Sequence, residues 1–313
     1  LLFRARRVEA VVGDDPRDLT FEGIFLVGAP VAGKESDVRV ATMDIQKPNG
    51  ILVSADGSTV LIDFDAYKFV DGKAPPTVNP SLWRHAVLNA QIGLFKVTDG
   101  IWQLRGFDIA NMTLIEGKTG FIVVDPLTAR ESASAALAFA RKHLGDKPVS
   151  GIVFTHSHAD HFGGALGVAS AQEVAQRKIP VVAPAGFIEE ATSENVLVGT
   201  AMARRSMYQF GKNLERSPKG NVDTGLGKNV AYGAIGVLMP TQLITTPEQE
   251  LVIDGVRFVF HNVPGAEAPA ELTFSIPDKK AYGGAENLAQ TMHNLLPVRG
   301  ANVRDSLQWS TYL

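Results

Sequence analysis

Three of the chain's seven histidines fall within six residues, in the run Thr155-His156-Ser157-His158-Ala159-Asp160-His161. Imidazole nitrogens and a carboxylate set this close together form the donor set of a metal site. The sequence has no cysteine, so a metal here must be held by His, Asp and Glu. If strand geometry continues into the segment, His156 and His158 turn to the same side. The Asp160-His161 pair then points elsewhere, toward a neighbouring second metal. A bound metal lowers the pKa of its water from near 16 to about 7, which supplies hydroxide at neutral pH for hydrolysis. Gly163-Gly164 follows, where the backbone is free to turn sharply into the next element.

Three more acids come into question. Glu267, in the turn Val263-Pro264-Gly265-Ala266-Glu267-Ala268-Pro269, reads equally as a ligand or as a solvated loop charge. Glu271 is close enough to compete with it but falls in a strand-like run. Glu286 directly follows the glycine-rich strand end Tyr282–Ala285, a place awkward for an acid in a core and natural for one on a metal. His261 lies in a strand-like run before the Pro-Gly turn and reads as structural.

These residues must be carried by a rigid frame. Val149–Phe154, with two valines and an isoleucine, predicts a short buried strand, and the histidine motif begins where it ends. In α/β architectures the loops at strand ends are free of the ladder while the sheet holds them in place. Gly93–Val97 and Ile101–Leu104 are joined by Thr98-Asp99-Gly100, a hairpin signal. Asn111–Glu116 and Thr119–Val124 form a second such pair, and Ala129–Leu144 has the apolar spacing of an amphipathic helix. Phe187–Lys212 predicts one or two helices. Strand-like runs follow at Gln242–Thr245, Glu250–Ile253, Val256–Asn262, Ala270–Ile276 and Lys280–Gly283. This order predicts an α/β fold of two packed sheets with helices outside, an αββα sandwich. Residues 1–90 read as a leader of short strands, such as Gly23–Val27 and Ser58–Phe64, and residues 91–313 as the hydrolase domain.

His-x-His-x-Asp-His followed by glycines resembles the signature of the metallo-β-lactamase superfamily. The resemblance implies the αββα fold and a binuclear zinc site, with His156 and His158 on one ion and Asp160 and His161 on the other. Asp125 matches an Asp that usually supports that site, its other reading being a turn residue before Pro126. Superfamily members often place a His after the Pro-Gly turn, where this chain has Glu267. That departure points to the alkyl sulfatases, which Asn79–Ile92, Val97–Leu114, Ser193–Leu197, Pro264–Glu271 and Ala285-Glu286-Asn287 also resemble. The likeness runs over roughly residues 50 to 313.

The alkyl-sulfatase resemblance implies that Glu267 completes the first zinc site and that Glu286 lies near or bridges both ions. It implies a catalytic role at Asp160 and hydrolysis of alkyl sulfates such as dodecyl sulfate, by metal-bound hydroxide, to alcohol and inorganic sulfate. Arg299 is a candidate sulfate clamp, because a guanidinium offers paired donors to a tetrahedral oxyanion; a capping or surface Arg is the alternative. His293 and Tyr232 are weaker candidates for contacts to sulfate or the leaving group. Two Zn²⁺ carry +4 and Asp160, Glu267 and Glu286 carry −3, leaving about +1 to meet an anionic ester. Another hydrolase of the superfamily (thioesterase, lactonase or β-lactamase) or a non-catalytic zinc-binding remnant are the competing readings.

The chain has 313 residues and a formal net charge of −3, so nothing suggests a nucleic-acid partner. No apolar run approaches the roughly 18–20 residues of a membrane span. Alkyl sulfatases are considerably longer, with a helical dimerisation region and a further C-terminal domain, which implies a homodimer for a full-length protein. The family pattern also places a zinc-binding His downstream of Leu313. The amphipathic run Asp305–Leu313 ends without a cap, so the reading expects a truncated catalytic domain that binds the second zinc poorly. Family members are often periplasmic or secreted.

Overall fold

A computed structural model of the chain describes residues 65–289 and 293–312, together with the strand segments 24–27, 38–39, 51–53 and 60–63. The early strands are β1 (Ile24–Val27), β2 (Val38–Arg39), β3 (Ile51–Val53) and β4 (Val60–Asp63), followed by helix α1 (Pro80–Asn89). An antiparallel meander then runs through β5 (Gly93–Thr98), β6 (Ile101–Arg105), β7 (Met112–Glu116) and β8 (Phe121–Val124). Helix α2 (Arg130–Leu144) crosses from β8 to its parallel neighbour β9 (Val149–Val153). The short helices α3 (Ala159–Phe162) and α4 (Ala171–Arg177) lead to β10 (Val181–Pro184). Helices α5 (Phe187–Thr192) and α6 (Gly199–Gln209), separated by a π-helical turn, lead to β11 (Gln242–Ile244). Parallel neighbours need such crossovers, whereas the meander closes with tight turns.

Strands β5 to β11 form a seven-stranded sheet in the order β11-β10-β9-β8-β7-β6-β5. The second sheet is built from β12 (Glu248–Ile253), β13 (Val256–Asn262), β14 (Leu272–Ile276) and β15 (Ala281–Gly283), extended by β1 and β2. A one-turn helix, α7 (Ser306–Ser310), begins at Asp305, whose carboxylate accepts from the Leu307 and Gln308 amides.

The period-2 alternation of β8 divides the core. Phe121 and Val123 pack with Ala133, Ala136, Leu137 and Ala140 of α2, while Ile122 and Val124 pack with Phe258, Phe260 and Phe274 of the second sheet. Each fully buried Phe, Leu, Ile or Val among them contributes on the order of 1.5–3 kcal/mol, and each Ala less. The expected α/β sandwich of two sheets flanked by helices is the fold found. The predicted strands β5–β9 and β11–β15 and helix α2 appear within a residue or two of their expected bounds.

Strand β10 and helices α4 and α1 are among the elements that went unread in the sequence. Strand β10 is only four residues long and buried on both faces, so it carries no alternation. Helix α4 did have a signal: Ser170 and Glu173 form a reciprocal capping box. Helix α1 starts at Pro80, with Asn79 as its cap. Among the described residues no helix is long and apolar enough to cross a membrane.

Candidate metal centre

The histidine motif leaves the end of β9 and is held there by the end of β8. Asp125 turns the chain in the left-handed region, φ 52°, a conformation costing an L-residue roughly 1–2 kcal/mol. Its carboxylate accepts from the Thr155 amide at 2.8 Å and the Thr155 hydroxyl at 2.6 Å. The same carboxylate faces His161 Nδ1 at 2.9 Å, which orients the ring and aims Nε2 inward. Asp125 is thus a turn residue and also the anchor of His161. Beneath the motif Phe154 and Phe187 stack and Phe162 meets both edge-on, with ring centroids 5.2–6.3 Å apart, seating α3 on the sheet.

Gly163 and Gly164 do not serve the sharp turn expected of them, since their φ values, −61° and −87°, suit any residue. Close approach requires them instead. A Cβ at Gly163 would lie 2.2 Å from the Thr128 carbonyl oxygen, and one at Gly164 2.1 Å from that of Pro126.

The structure brings together all six residues named as metal ligands. His156, His158, Glu267 and Glu286 offer one group of mutually close donor atoms, and Asp160, His161 and Glu286 a second. His158 Nδ1 lies 2.8 Å from Glu267 Oε2, and His156 Nε2 lies 3.6 Å from that oxygen and 3.5 Å from Glu286 Oε2. His161 Nε2 lies 3.4 Å from Asp160 Oδ2 and 3.6 Å from Glu286 Oε1. Glu286 faces both groups, and Ala285 before it is also in the left-handed region, φ 49°.

His156 Nε2, His161 Nε2 and Glu267 Oε2 are buried and make no hydrogen bond. Stranding three such atoms in a core is costly unless something else satisfies them. An all-nitrogen-and-oxygen donor set pointing at common centres fits a metal of zinc's preferences.

Burial pushes each acid toward its neutral form, and neighbouring charge opposes it. His156, His161 and His293 hold Glu286 well below the usual carboxylate range, and His158 and Arg304 hold Glu267 below it. Burial works against a charged His161, but Asp160 and Asp125 raise it well above the ordinary imidazole value. Glu271 has less help, and burial carries it up to about 8.

Glu271 takes a structural role beside Glu267, and Arg304 and Glu194 join the site without having been read there. Glu271 does not replace Glu267; its Oε2 accepts from the Glu267 and Ala268 amides at 2.7 and 3.0 Å and shapes the turn. Arg304 is buried against Glu267, donating to its carbonyl at 2.6 Å and pairing with its carboxylate. Glu194, buried in the π-helical turn Ser193–Leu197, faces His158 Nε2 at 3.6 Å. Glu194 falls in the alkyl-sulfatase-like segment Ser193–Leu197 but was given no role there, and no motif flags Arg304; each is distant in sequence from its partner. His261 stands apart on β13, beside Ser275 and Glu248.

Over the donor cluster opens a cavity of about 710 Å³. His158, Asp160, Glu267, Glu286 and His293 lie on its floor side, and its walls include Ile188, Met202, Phe210, Leu226, Val230 and Ile235. Arg299 and Tyr232 both line it. His293 comes closest to the cluster, with Nε2 3.5 Å from Glu267 Oε1 and 3.8 Å from Glu286 Oε2. Buried Asp108 ties the wall together, accepting from the amides of Ile109, Thr128 and Ala231 and from the hydroxyl of Ser132.

A family model described as the metallo-beta-lactamase superfamily matches residues 105–265. The chain is 44% identical over 263 residues to the alkyl/aryl-sulfatase BDS1 of Saccharomyces cerevisiae, covering 84% of this chain and 41% of that protein. It is 45% identical over 267 residues to an (R)-specific secondary-alkylsulfatase of Pseudomonas sp., covering 85% of this chain and 40% of that one. Among solved structures, the stereoselective inverting sec-alkylsulfatase Pisa1 from Pseudomonas sp. superposes with a TM-score of 0.78 at 43% identity, over 84% of this chain and 42% of that chain. The resemblance to alkyl sulfatases is therefore borne out, and the chain spans about two fifths of the length of these relatives.

Proposed function

The chain belongs to the metallo-β-lactamase superfamily, and from that premise we propose that it hydrolyses alkyl sulfate esters at a two-zinc centre, giving alcohol and inorganic sulfate. The observation that carries this reading is the cavity of about 710 Å³, apolar along its walls, that opens onto the buried cluster of histidines and acids. Its volume lies within the usual range of small-molecule sites, and its division into apolar wall and charged floor matches an amphiphilic anion. The names of the similar proteins, alkyl/aryl-sulfatase and secondary-alkylsulfatase, support the same substrate class.

In this reading His156, His158, Glu267 and Glu286 would hold one zinc, and Asp160 and His161, with Glu286 close to both groups, would hold the other. Bound zinc supplies a Lewis acid and brings the pKa of a water to about 7. Arg299, on the cavity wall, pairs with sulfate oxygens. His293, whose Nε2 lies beside both glutamates, and Tyr232 would contact the sulfate or the leaving group. Ile188, Met202, Phe210 and Leu226 exclude water from the alkyl chain.

The test pairs elemental analysis of zinc with sulfate release from dodecyl sulfate on one sample, with nitrocefin and a thioester as controls. Bound zinc, with the second ion held more weakly than the first, together with sulfate release is the expected result. Turnover of a control substrate and none of dodecyl sulfate would sink the substrate class. No zinc and no release would sink the centre itself.

A further inference from the structure

We propose that Arg304 is a positioning residue for the metal centre: its guanidinium immobilises one carboxylate oxygen of Glu267 so that the other is presented to the metal. The inference rests on the metal-centre reading above and adds a determinant of affinity outside the donor set.

Glu267 is fixed at three points. Its amide donates to Glu271 Oε2 at 2.7 Å, its carbonyl accepts from Arg304 Nε at 2.6 Å, and its Oε1 pairs with Arg304 Nη2. Oε2 makes no hydrogen bond of good geometry and faces the rings of His156 and His158, whose nitrogens lie 3.6 and 2.8 Å away. The remaining guanidinium nitrogen, Nη1, donates to Asn294 Oδ1 at 2.8 Å and to the Asn294 carbonyl at 3.0 Å. One planar group thus fastens the 264–271 turn to the segment that carries His293 and Arg299. The arrangement is buried, with Arg304 at 7% and Glu267 at 2% exposure. A lysine cannot replace it, because a single ammonium on a flexible stem does not reach a carbonyl and a carboxylate in a fixed fork.

Charge alone predicts the opposite effect. A cation beside a metal ion repels it, so removing the charge would tighten binding if Coulomb interaction were all that mattered. The direction of the change therefore separates positioning from simple charge.

The experiment measures zinc affinity by chelator competition, and the visible spectrum of the cobalt(II)-loaded protein, for wild type, Arg304→Lys and Arg304→Met. Both variants are expected to bind zinc roughly 10–100-fold more weakly, the loss typical of groups that orient a ligand, and to shift the cobalt bands. An Arg304→Met protein that binds zinc as tightly as wild type or more so would overturn the proposal. So would recovery of wild-type affinity in Arg304→Lys. Should both variants fail to fold, Asn294→Ala removes a single limb of the fork at an exposed position. Its zinc affinity is expected to fall by less, and an unchanged affinity would overturn the proposal. Wild type that binds no zinc would instead refute the metal-centre reading.

Discussion

Asp125 supports the donor cluster without being one of the proposed ligands. Its carboxylate secures Thr155 at the head of the loop and His161 Nδ1 at its foot, so one side chain sets both the loop's path and a ring's orientation. Asp125→Asn keeps the volume but puts an amide N–H₂ where one of two acceptor oxygens stood, against donors at Thr155 and His161. Zinc affinity is expected to fall roughly 10–100-fold, read by chelator competition. Unchanged affinity would reduce Asp125 to a turn residue. The run from His156 to His161 was legible because its donors are neighbours in sequence. Arg304 was not, since 37 residues separate it from Glu267 and nothing in its own surroundings marks it.

The elements explain where that loop sits. β8 and β9 are parallel neighbours, so their ends place Asp125 beside Thr155, and α3 follows at once, pressed onto the loop after β8. The glycines after the motif make this approach possible. At an unhindered site with ordinary φ, Gly→Ala stabilises by about 0.4–1 kcal/mol. Gly164→Ala is expected to do the reverse, because its Cβ would meet the Pro126 carbonyl oxygen at 2.1 Å and that of Ala129 at 2.6 Å. A loss on the order of 1–3 kcal/mol, measured as a lowered denaturation midpoint, is the expected outcome. A gain would mean that the approach relaxes freely. Helix α2 and the hairpin strands followed from apolar period and turn chemistry. Strand β10 did not, because a short strand buried on both faces leaves no period to read.

At the scale of the whole molecule the donors come from two sheets. His156, His158, Asp160 and His161 follow β9 of the seven-stranded sheet, while Glu267 and Glu286 belong to the connections around β13, β14 and β15 of the other. A bound metal would therefore link the two sheets. Removing it with a chelator should lower the melting temperature, and zinc at 100 times its Kd should restore about 2.7 kcal/mol. A melt indifferent to chelator and zinc would count against metal binding by the folded chain.

The sequence by itself determined the fold class and the four proposed donors of the motif, His156, His158, Asp160 and His161. Both are written in local patterns: apolar period, turn residues, and a cluster of histidines and an acid six residues long. Only tertiary structure decided that Glu267, not Glu271, faces the histidines, since both are acids of one short segment and the bonds of Glu271 to backbone amides separate them. Tertiary structure alone also brought Arg304 and Glu194 to the site and enclosed the apolar cavity above it. Those contacts join segments far apart along the chain, and a contact between distant segments follows from how the sheets and helices pack, which no local pattern encodes.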